Sequence, residues 1–157
     1  MEKSYKEFLK DITTFVFDVD GVFTDGSLLV NTNGEMLRKM SVKDGYALKV
    51  ALTKGYNVCI ITGGTNEGVR TRLRGLGVTD IYMGAHHKID ALEEYMDIYH
   101  IEAENILYMG DDIPDIPPMK EVALATCPQN AVAEVKSISN YISHINGRCQ
   151  NQTIGSS

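Results

Sequence analysis

Residues 14–26 read TFVFDVDGVFTDG, in which an apolar run passes directly into a group of aspartates. A short run of aromatic and β-branched residues without polar alternation is typical of a strand buried on both faces of a parallel sheet. In an open parallel sheet, the ligand crevice lies beyond the carboxyl ends of the strands. Because Asp18 and Asp20 follow the run at once, the sequence predicts two carboxylates at the mouth of a buried strand.

The composition is that of one ordinary globular domain with an acidic balance. Of the 157 residues, 43% are hydrophobic and 23% are charged, and the net charge is −6. Nucleic acids and acidic membrane surfaces bind basic faces, so this balance argues against both as partners. The sequence shows neither a signal peptide nor a run of about 20 apolar residues, so we expect a cytoplasmic protein. The three cysteines are too far apart to indicate a disulfide framework or a zinc site.

Apolar runs alternate with amphipathic helical patterns along most of the chain. This alternation is typical of βαβ units and of a mainly parallel sheet with helices on both faces. The predicted strands are 13–17, 56–61, 80–83, 105–109, 122–126 and 141–145. The predicted helices lie within 43–55, 66–77, 88–100 and 128–139. The predicted fold class is therefore α/β.

One segment, residues 23–40, breaks the alternation. It holds an Asn33-Gly34 pair between two strand-like stretches, and Asn-Gly is a strong signal for a tight hairpin turn because both residues tolerate positive φ. We expect a β-hairpin that protrudes from the sheet. We expect residues 1–145 to form a single domain and the polar, aperiodic residues 146–157 to be a loose tail.

Polar groups follow four of the predicted strands. They are Asp18 and Asp20 after the first strand, Thr62, Gly63 and Gly64 after the second, Lys88 after the third, and Asp111, Asp112 and Asp115 after the fourth. Each feature alone is common in ordinary turns. Because all four fall where the crevice of the sheet should be, together they indicate a functional site.

Phosphoryl transfer through a covalent intermediate is the chemistry that suits this group. Clustered carboxylates repel one another unless a cation lies among them, and Mg²⁺ accepts oxygen ligands, here Asp18, Asp111 and a backbone carbonyl near Asp20. Asp18 would attack phosphorus, and Asp20 would protonate the leaving alcohol and later deprotonate water. The charge of the phosphoryl oxygens would be balanced by Lys88, the Thr62 hydroxyl and the Gly63 amide.

These segments resemble the four motifs of the haloacid dehalogenase superfamily of phosphohydrolases. The matching segments, in order, are FDVDGVFTDG, IITGG, Lys88 and GDDIPD, and the resemblance spans residues 12 to about 145. It implies a Rossmann-like core and a Mg²⁺-dependent phosphatase. The implied roles are Asp18 as nucleophile, Asp20 as acid/base, Thr62 and Lys88 on the phosphate, Asp111 on Mg²⁺, and Asp112 and Asp115 in support.

The spacing of the motifs leaves no room for a separate cap domain. Only 44 positions separate Asp18 from Thr62, and 26 separate Thr62 from Lys88. An open site needs another source of closure, and a neighbouring subunit is an economical one. Capless members with DGVFTDG, a hairpin and VKDGYA look like the 3-deoxy-D-manno-octulosonate 8-phosphate phosphatases. This resemblance implies a homotetramer with its sites at subunit boundaries.

The same resemblance implies hydrolysis of that eight-carbon sugar phosphate on the route to lipopolysaccharide. The implied substrate contacts are Ser41, Val42, Lys43, Asp44, Gly45, Arg72 and Lys88. The chain departs from the pattern at Gly64 and Thr65, where many relatives carry an arginine, and in its tail, NGRCQNQTIGSS. The nonulosonate 9-phosphate phosphatases share the capless architecture and are the alternative within the superfamily.

Two alternatives belong to other classes. Receiver domains of signalling proteins are also α/β and hold a phosphoryl group with aspartates, a threonine, a lysine and Mg²⁺. However, receivers lack an acid/base two residues after the phosphorylated aspartate, and rapid turnover of a phosphorylated Asp18 would exclude them. An inactive structural subunit is the other alternative, and failure to release phosphate in the presence of Mg²⁺ would indicate it.

Overall fold

The computed structural model describes residues 5–145 and residue 147 of the chain. Its strands are β1 (Thr14–Phe17), β2 (Leu29–Val30), β3 (Met36–Leu37), β4 (Asn57–Ile61), β5 (Asp80–Tyr82), β6 (Ile106–Met109), β7 (Leu124–Cys127) and β8 (Tyr141–Ile142). Its α-helices are α1 (Tyr5–Leu9), α2 (Val42–Thr53), α3 (Glu67–Gly75), α4 (Lys88–Tyr99), α5 (Ile116–Glu121) and α6 (Ala133–Ile138). Short 3₁₀ helices, Ala103–Asn105 and Ile113–Asp115, precede β6 and α5.

Six strands form one sheet in the order β5-β4-β1-β6-β7-β8, and every neighbouring pair is parallel. β1 pairs with β4 on one side and with β6 on the other, so the first strand of the chain lies inside the sheet. The predicted α/β class and mainly parallel sheet are confirmed.

Both faces of the sheet are covered by apolar side chains. Phe15 and Phe17 of β1 belong to one buried cluster and Val16 belongs to the other, as the alternation of side chains along a strand requires. Helix side chains complete the clusters, with Leu48, Val69 and Leu73 in the first and Leu92, Met119 and Val135 in the second. Apolar side chains therefore pack on both faces of the sheet that positions the strand ends.

The interior position of β1 decides where the polar strand ends meet. The N–H of Asp18 donates to the carbonyl at the end of β6 at 3.1 Å, which extends the ladder beyond β1. The N–H of Thr62 donates in the same way to the last carbonyl of β5 at 2.9 Å, and that of Gly110 donates to Thr126 at 3.2 Å. A backbone hydrogen bond to the neighbouring strand thus fixes each of these residues at the edge of the sheet.

β2 and β3 form the predicted hairpin as a separate two-stranded sheet. The register pairs Leu29 with Leu37 and Val30 with Met36. A tight turn is present at Asn33-Gly34, since the N–H of Gly34 donates to the carbonyl of Asn31 at 3.0 Å. Residues 31–35 lie between the strands, so the loop is longer than a two-residue turn, and of the pair only Gly34 has a positive φ, 81°. The side-chain oxygen of Asn31 accepts hydrogen bonds from the N–H groups of Asn33 and Glu35, which stabilises the longer loop.

Within the described part of the chain, no helix is long and apolar enough to cross a bilayer. Cys59 and Cys127 are buried free thiols, and Cys149 lies outside the described residues. The predicted loose tail also lies outside them, apart from Gly147, and the assignment of residues 1–145 to a single domain stays a prediction.

Candidate active site

A cavity of about 730 Å³ opens at the carboxyl edge of the sheet. The residues predicted from the sequence that line it are Asp18, Asp20, Thr62, Gly63, Lys88, Asp111 and Asp112. The hairpin contributes Gly34, Met36 and Arg38 to the same cavity. Small-molecule sites commonly enclose about 300–1,000 Å³, so the cavity has room for a ligand much larger than a phosphate ion.

Asp18 is a buried carboxylate in the wall of the cavity, 5% exposed. Its Oδ1 accepts a hydrogen bond from the N–H of Val19 at 2.7 Å, and its Oδ2 lies 3.1 Å from Nζ of Lys88. Burial, followed by the neighbouring charge of Asp115, raises the pKa of Asp18 well above its usual value, although Lys88 opposes this shift. Full ionisation of Asp18 therefore needs more positive charge than Lys88 supplies.

Asp115 is fully buried and anchors the surrounding groups. Its Oδ1 accepts hydrogen bonds from Nζ of Lys88 at 2.8 Å and from the Tyr108 hydroxyl at 2.9 Å. Its Oδ2 accepts from the N–H groups of Asp111 at 3.0 Å and Asp112 at 3.3 Å. Both oxygens of Asp115 are therefore engaged by donors of the chain. Its supporting role in the reaction stays a prediction.

Lys88 and Thr62 direct hydrogen-bond donors at the cavity. Burial alone would lower the pKa of Lys88, but Asp115 and then Asp18 outweigh it and raise the pKa, so Lys88 remains an ammonium. Two of its three N–H groups meet those carboxylates, which leaves the third for a ligand. Oγ1 of Thr62 accepts a hydrogen bond from the N–H of Gly64 at 3.2 Å, so its own hydrogen can be donated to a ligand.

The carboxylates fit a hard divalent cation such as Mg²⁺. Asp18, Asp111 and Asp115 each place one oxygen within 4.8 Å of the others. Oδ1 of Asp111 is buried and has no hydrogen-bond partner among the described residues. Burial, with Asp115 next, raises the pKa of Asp111 to about 7. Since the oxygens of Asp115 are already engaged, Asp18 and Asp111 are the side chains that a cation would bind.

Gly21 makes room for Asp111 in this arrangement. Its φ is 87°, a conformation that favours glycine. A Cβ at position 21 would overlap Oδ2 of Asp111, so the carboxylate lies directly against the backbone that follows Asp20. Two features of the structure therefore require a glycine at position 21, namely its backbone conformation and the close approach of Asp111.

Asp20 is bound by Arg38, a residue that the sequence argument did not include. Nε and Nη2 of Arg38 lie 3.1 and 3.2 Å from Oδ1 and Oδ2 of Asp20. Arg38 directly follows β3, so the hairpin that protrudes from the sheet also returns to cover the strand ends. The available signal in the sequence was a cation at the base of a hairpin that starts next to the aspartates, and it does not specify a partner.

The other residues predicted to bind substrate do not line this cavity. Residues 41–45 form the N-cap and first turn of α2, where Val42 is 78% exposed. Arg72 on α3 lies beside them, since a Cβ at position 45 would be 2.5 Å from its Nη2. Gly45 and Arg72 are therefore neighbours, although neither lines the cavity. The role of residues 41–45 and Arg72 in substrate binding stays a prediction.

Comparisons with known proteins identify relatives of this chain. Residues 74–148 match the family described as haloacid dehalogenase-like hydrolase. The 3-deoxy-D-manno-octulosonate 8-phosphate phosphatase of Salmonella typhi is 36% identical over 138 residues, covering 88% of this chain and 73% of the relative. The crystal structure of the Yersinia pestis phosphatase of the same name is 29% identical with a TM-score of 0.89, covering 96% of this chain and 85% of that one.

A further crystal structure contains ligands. It is the phosphatase of the same name from Moraxella catarrhalis in complex with a magnesium ion, a phosphate ion and a KDO molecule. It is 29% identical to this chain with a TM-score of 0.90, and the match covers 95% of this chain and 86% of that one.

The fold, the strand-end aspartates and these relatives define the class. The chain belongs to the haloacid dehalogenase-like hydrolases. Within that family it is a phosphoric monoester hydrolase, which confirms the enzyme class predicted from the motifs.

A divalent cation should stabilise the protein more at high pH than at low pH. The pKa of Asp111, about 7, exceeds the ordinary value of 3.8, so between these values the folded chain binds more protons than the unfolded chain. Without a cation, stability is therefore lost as pH rises through this window, and a cation that binds the ionised carboxylates restores it. We expect Mg²⁺ to raise the unfolding midpoint at least about twice as much at pH 8 as at pH 5.5.

Thermal unfolding in Mg²⁺ and in chelator measures this difference. Asp111→Asn, which removes one of the two proposed ligands, should weaken the Mg²⁺ effect at pH 8, whereas Asp97→Asn, on the exposed side of α4, should leave it unchanged. An equal Mg²⁺ effect at both pH values in the unsubstituted protein would contradict the arrangement.

Tyr108→Phe should destabilise the protein through Asp115. The Tyr108 side chain is fully buried, and burial raises the pKa of its hydroxyl well above the usual value, so it remains a donor to Asp115. Removing a donor from a buried carboxylate costs roughly 1–3 kcal/mol. Tyr99→Phe is the matched control, because it removes a hydroxyl that donates to Asp80 at an exposed position. Denaturant unfolding should show a much smaller loss for the control, and equal losses would refute the anchoring role.

Proposed function

We propose that this chain is a Mg²⁺-dependent phosphatase that hydrolyses 3-deoxy-D-manno-octulosonate 8-phosphate to the free sugar acid and phosphate, a step towards lipopolysaccharide. The observation that carries the reaction is the buried carboxylate of Asp18 in the cavity wall, with Lys88 3.1 Å away and Asp20 two residues further on. The relatives named for this substrate support the choice of sugar, as does the Moraxella catarrhalis complex with magnesium, phosphate and KDO.

Asp18 begins the reaction as the nucleophile. A carboxylate oxygen of Asp18 forms a bond to phosphorus while the bond from phosphorus to the ester oxygen breaks. Asp20 gives its proton to that departing oxygen, so the sugar acid leaves as an alcohol. The Lys88 ammonium, the Thr62 hydroxyl and the Gly63 amide hold the three remaining phosphoryl oxygens, whose charge they offset.

Water completes the cycle. Asp20, now ionised, takes a proton from a water molecule. The oxygen of that water molecule bonds to phosphorus while the bond from phosphorus to Asp18 breaks. The products are inorganic phosphate and the original pair of carboxyl groups. Asp18, Asp111 and the backbone carbonyl near Asp20 would hold Mg²⁺, which when bound supplies the positive charge that keeps Asp18 ionised beside an anionic substrate.

Assembly is the proposed source of closure for this open cavity. Leu29 and Val30 of the hairpin are 68% and 63% exposed, which is typical of a surface that another chain covers. In such an assembly we expect residues 41–45 and Arg72 to contact substrate, as the resemblance implies. The homotetramer and the cytoplasmic location stay predictions.

Asp18→Asn should abolish phosphate release and leave the fold intact. The amide has almost the same shape but cannot act as the nucleophile, so we expect turnover to fall at least about 10³-fold. Phosphate release and the unfolding midpoint are measured together, with Asp97→Asn as the control. Turnover within about tenfold of the unsubstituted protein would end the covalent mechanism.

A panel of esters tests the substrate separately from the reaction. We expect kcat/KM for 3-deoxy-D-manno-octulosonate 8-phosphate to exceed that for a nonulosonate 9-phosphate and for p-nitrophenyl phosphate by at least about tenfold. The reason is that only the preferred sugar acid can meet all the polar groups of the closed site. Preference for the nine-carbon ester would move the assignment to the alternative within the superfamily, and equal rates for all three would refute a sugar-acid specificity.

A further inference from the structure

Arg38 donates a hydrogen bond to each carboxylate oxygen of Asp20. Its side chain is 9% exposed, compared with 34% for Asp20. Nε donates to Oδ1 at 3.1 Å and Nη2 donates to Oδ2 at 3.2 Å. A two-pronged contact of this kind fixes the plane of a carboxylate as well as its place, which the point charge of a lysine does not do.

Gly64 leaves the space in which the guanidinium lies. A Cβ at position 64 would lie 3.1 Å from Nη2 of Arg38, tighter than most contacts of that kind, and 3.6 Å from Oδ2 of Asp20. The φ of Gly64 is not positive, so the backbone conformation does not require a glycine. A side chain at position 64 would therefore reduce the space available to the Arg38 guanidinium.

The third nitrogen of the Arg38 guanidinium is bound by strand β3 of the hairpin. The carbonyl of Met36 accepts hydrogen bonds from Nη1 of Arg38 at 2.8 Å and from Nδ2 of Asn66 at 2.9 Å. Asn66 is in turn the N-cap of α3, where its side-chain oxygen accepts from the N–H of Val69 at 3.1 Å. The hairpin strand is thus tied to the turn between β4 and α3, and each of the three guanidinium nitrogens of Arg38 has an acceptor.

We propose that Arg38 positions the carboxyl group of Asp20 for proton transfer and that Gly64 serves to admit the Arg38 guanidinium. This inference rests on the proposed phosphatase function, in which Asp20 is the acid/base. Arg38 is a positioning residue because it acts through Asp20. A carboxylate has about four lone-pair sites and the guanidinium uses two, so each oxygen keeps a site for the transferred proton.

The need for positioning follows from the surroundings of Asp20. Its side chain is one-third exposed to a cavity of about 730 Å³, so without Arg38 it could turn to several orientations. A general acid must come within about 2.6–3.2 Å of the atom that it protonates. Holding the carboxyl group in one plane therefore raises the fraction of encounters in which the proton can move.

Leaving-group dependence is the test, because it reports on proton donation and not on folding. Nitrophenoxide leaves readily without a proton, whereas phenoxide, a much stronger base, depends on one. With enzyme in excess and Mg²⁺ present, Arg38→Met should slow release of phenol from phenyl phosphate at least about tenfold and release of nitrophenol from p-nitrophenyl phosphate less than about threefold. Lys39→Met, which removes the adjacent exposed cation, should leave both rates unchanged.

Two further variants separate orientation from charge. Arg38→Lys keeps the charge without the fork, so it should recover only part of the phenyl phosphate rate. Gly64→Ala should displace the guanidinium and lower that rate about threefold in the unsubstituted background, with a smaller effect in the Arg38→Met background, because both changes act on one contact. Unfolding midpoints for all variants verify that each is folded.

The outcomes distinguish this inference from the proposed function. Three results would each overturn the positioning role and leave the proposed phosphatase function intact. They are equal slowing of both esters by Arg38→Met, a rise in KM for both esters with kcat unchanged, and full recovery of the rate by Arg38→Lys. If the unsubstituted protein releases no phosphate from 3-deoxy-D-manno-octulosonate 8-phosphate or from either aryl ester, or if Asp18→Asn releases it equally well, the proposed function falls and this inference falls with it.

Discussion

Several carboxylates are buried together at one edge of the sheet, and the arrangement of the site depends on how their negative charge is offset. Asp18, Asp111 and Asp115 lie close enough to share one cation, and the Lys88 ammonium contacts two of them. Withdrawing several carboxylates from water is unfavourable unless nearby donors and cations offset their charge. Asp115 meets four donors of the chain, whereas Asp111 has a buried oxygen with none among the described residues. The uncompensated charge is therefore concentrated where a cation and a phosphate ester would bind.

Two parts of the fold position the two aspartates of the first motif. In the sheet, β1 lies between β4 and β6, and a ladder hydrogen bond to β6 holds Asp18. The hairpin covers the edge of the sheet, and Arg38, which directly follows its second strand, contacts Asp20. The two aspartates are only two residues apart, yet one is fixed by the sheet and the other by the hairpin. This division suits a reaction in which a nucleophile stays in place while a second carboxyl group exchanges protons with changing partners.

The parts of the molecule that depend on local pattern could be predicted from the sequence. Buried strands and strand-end aspartates follow from apolar runs and from the topology of parallel sheets, and so Asp18, Thr62, Lys88 and Asp111 meet at one cavity as expected. The pairing of Arg38 with Asp20 could not be predicted, because it depends on how a hairpin folds back over 18 residues of chain. α5 was missed for a different reason, since its prolines at 117 and 118 suggest a break although a first helical turn tolerates them.

Proton release on Mg²⁺ binding measures whether the buried carboxylates of Asp18 and Asp111 need the cation to ionise. Titration calorimetry near pH 6.5, repeated in buffers with different ionisation enthalpies, gives the number of protons that leave the protein as the cation binds. We expect net release, because the cation must displace the proton that burial favours on the pair formed by Asp18 and Asp111. Binding of Mg²⁺ without proton release would show that these carboxylates are already ionised, and it would contradict the charge compensation from which the mechanism follows.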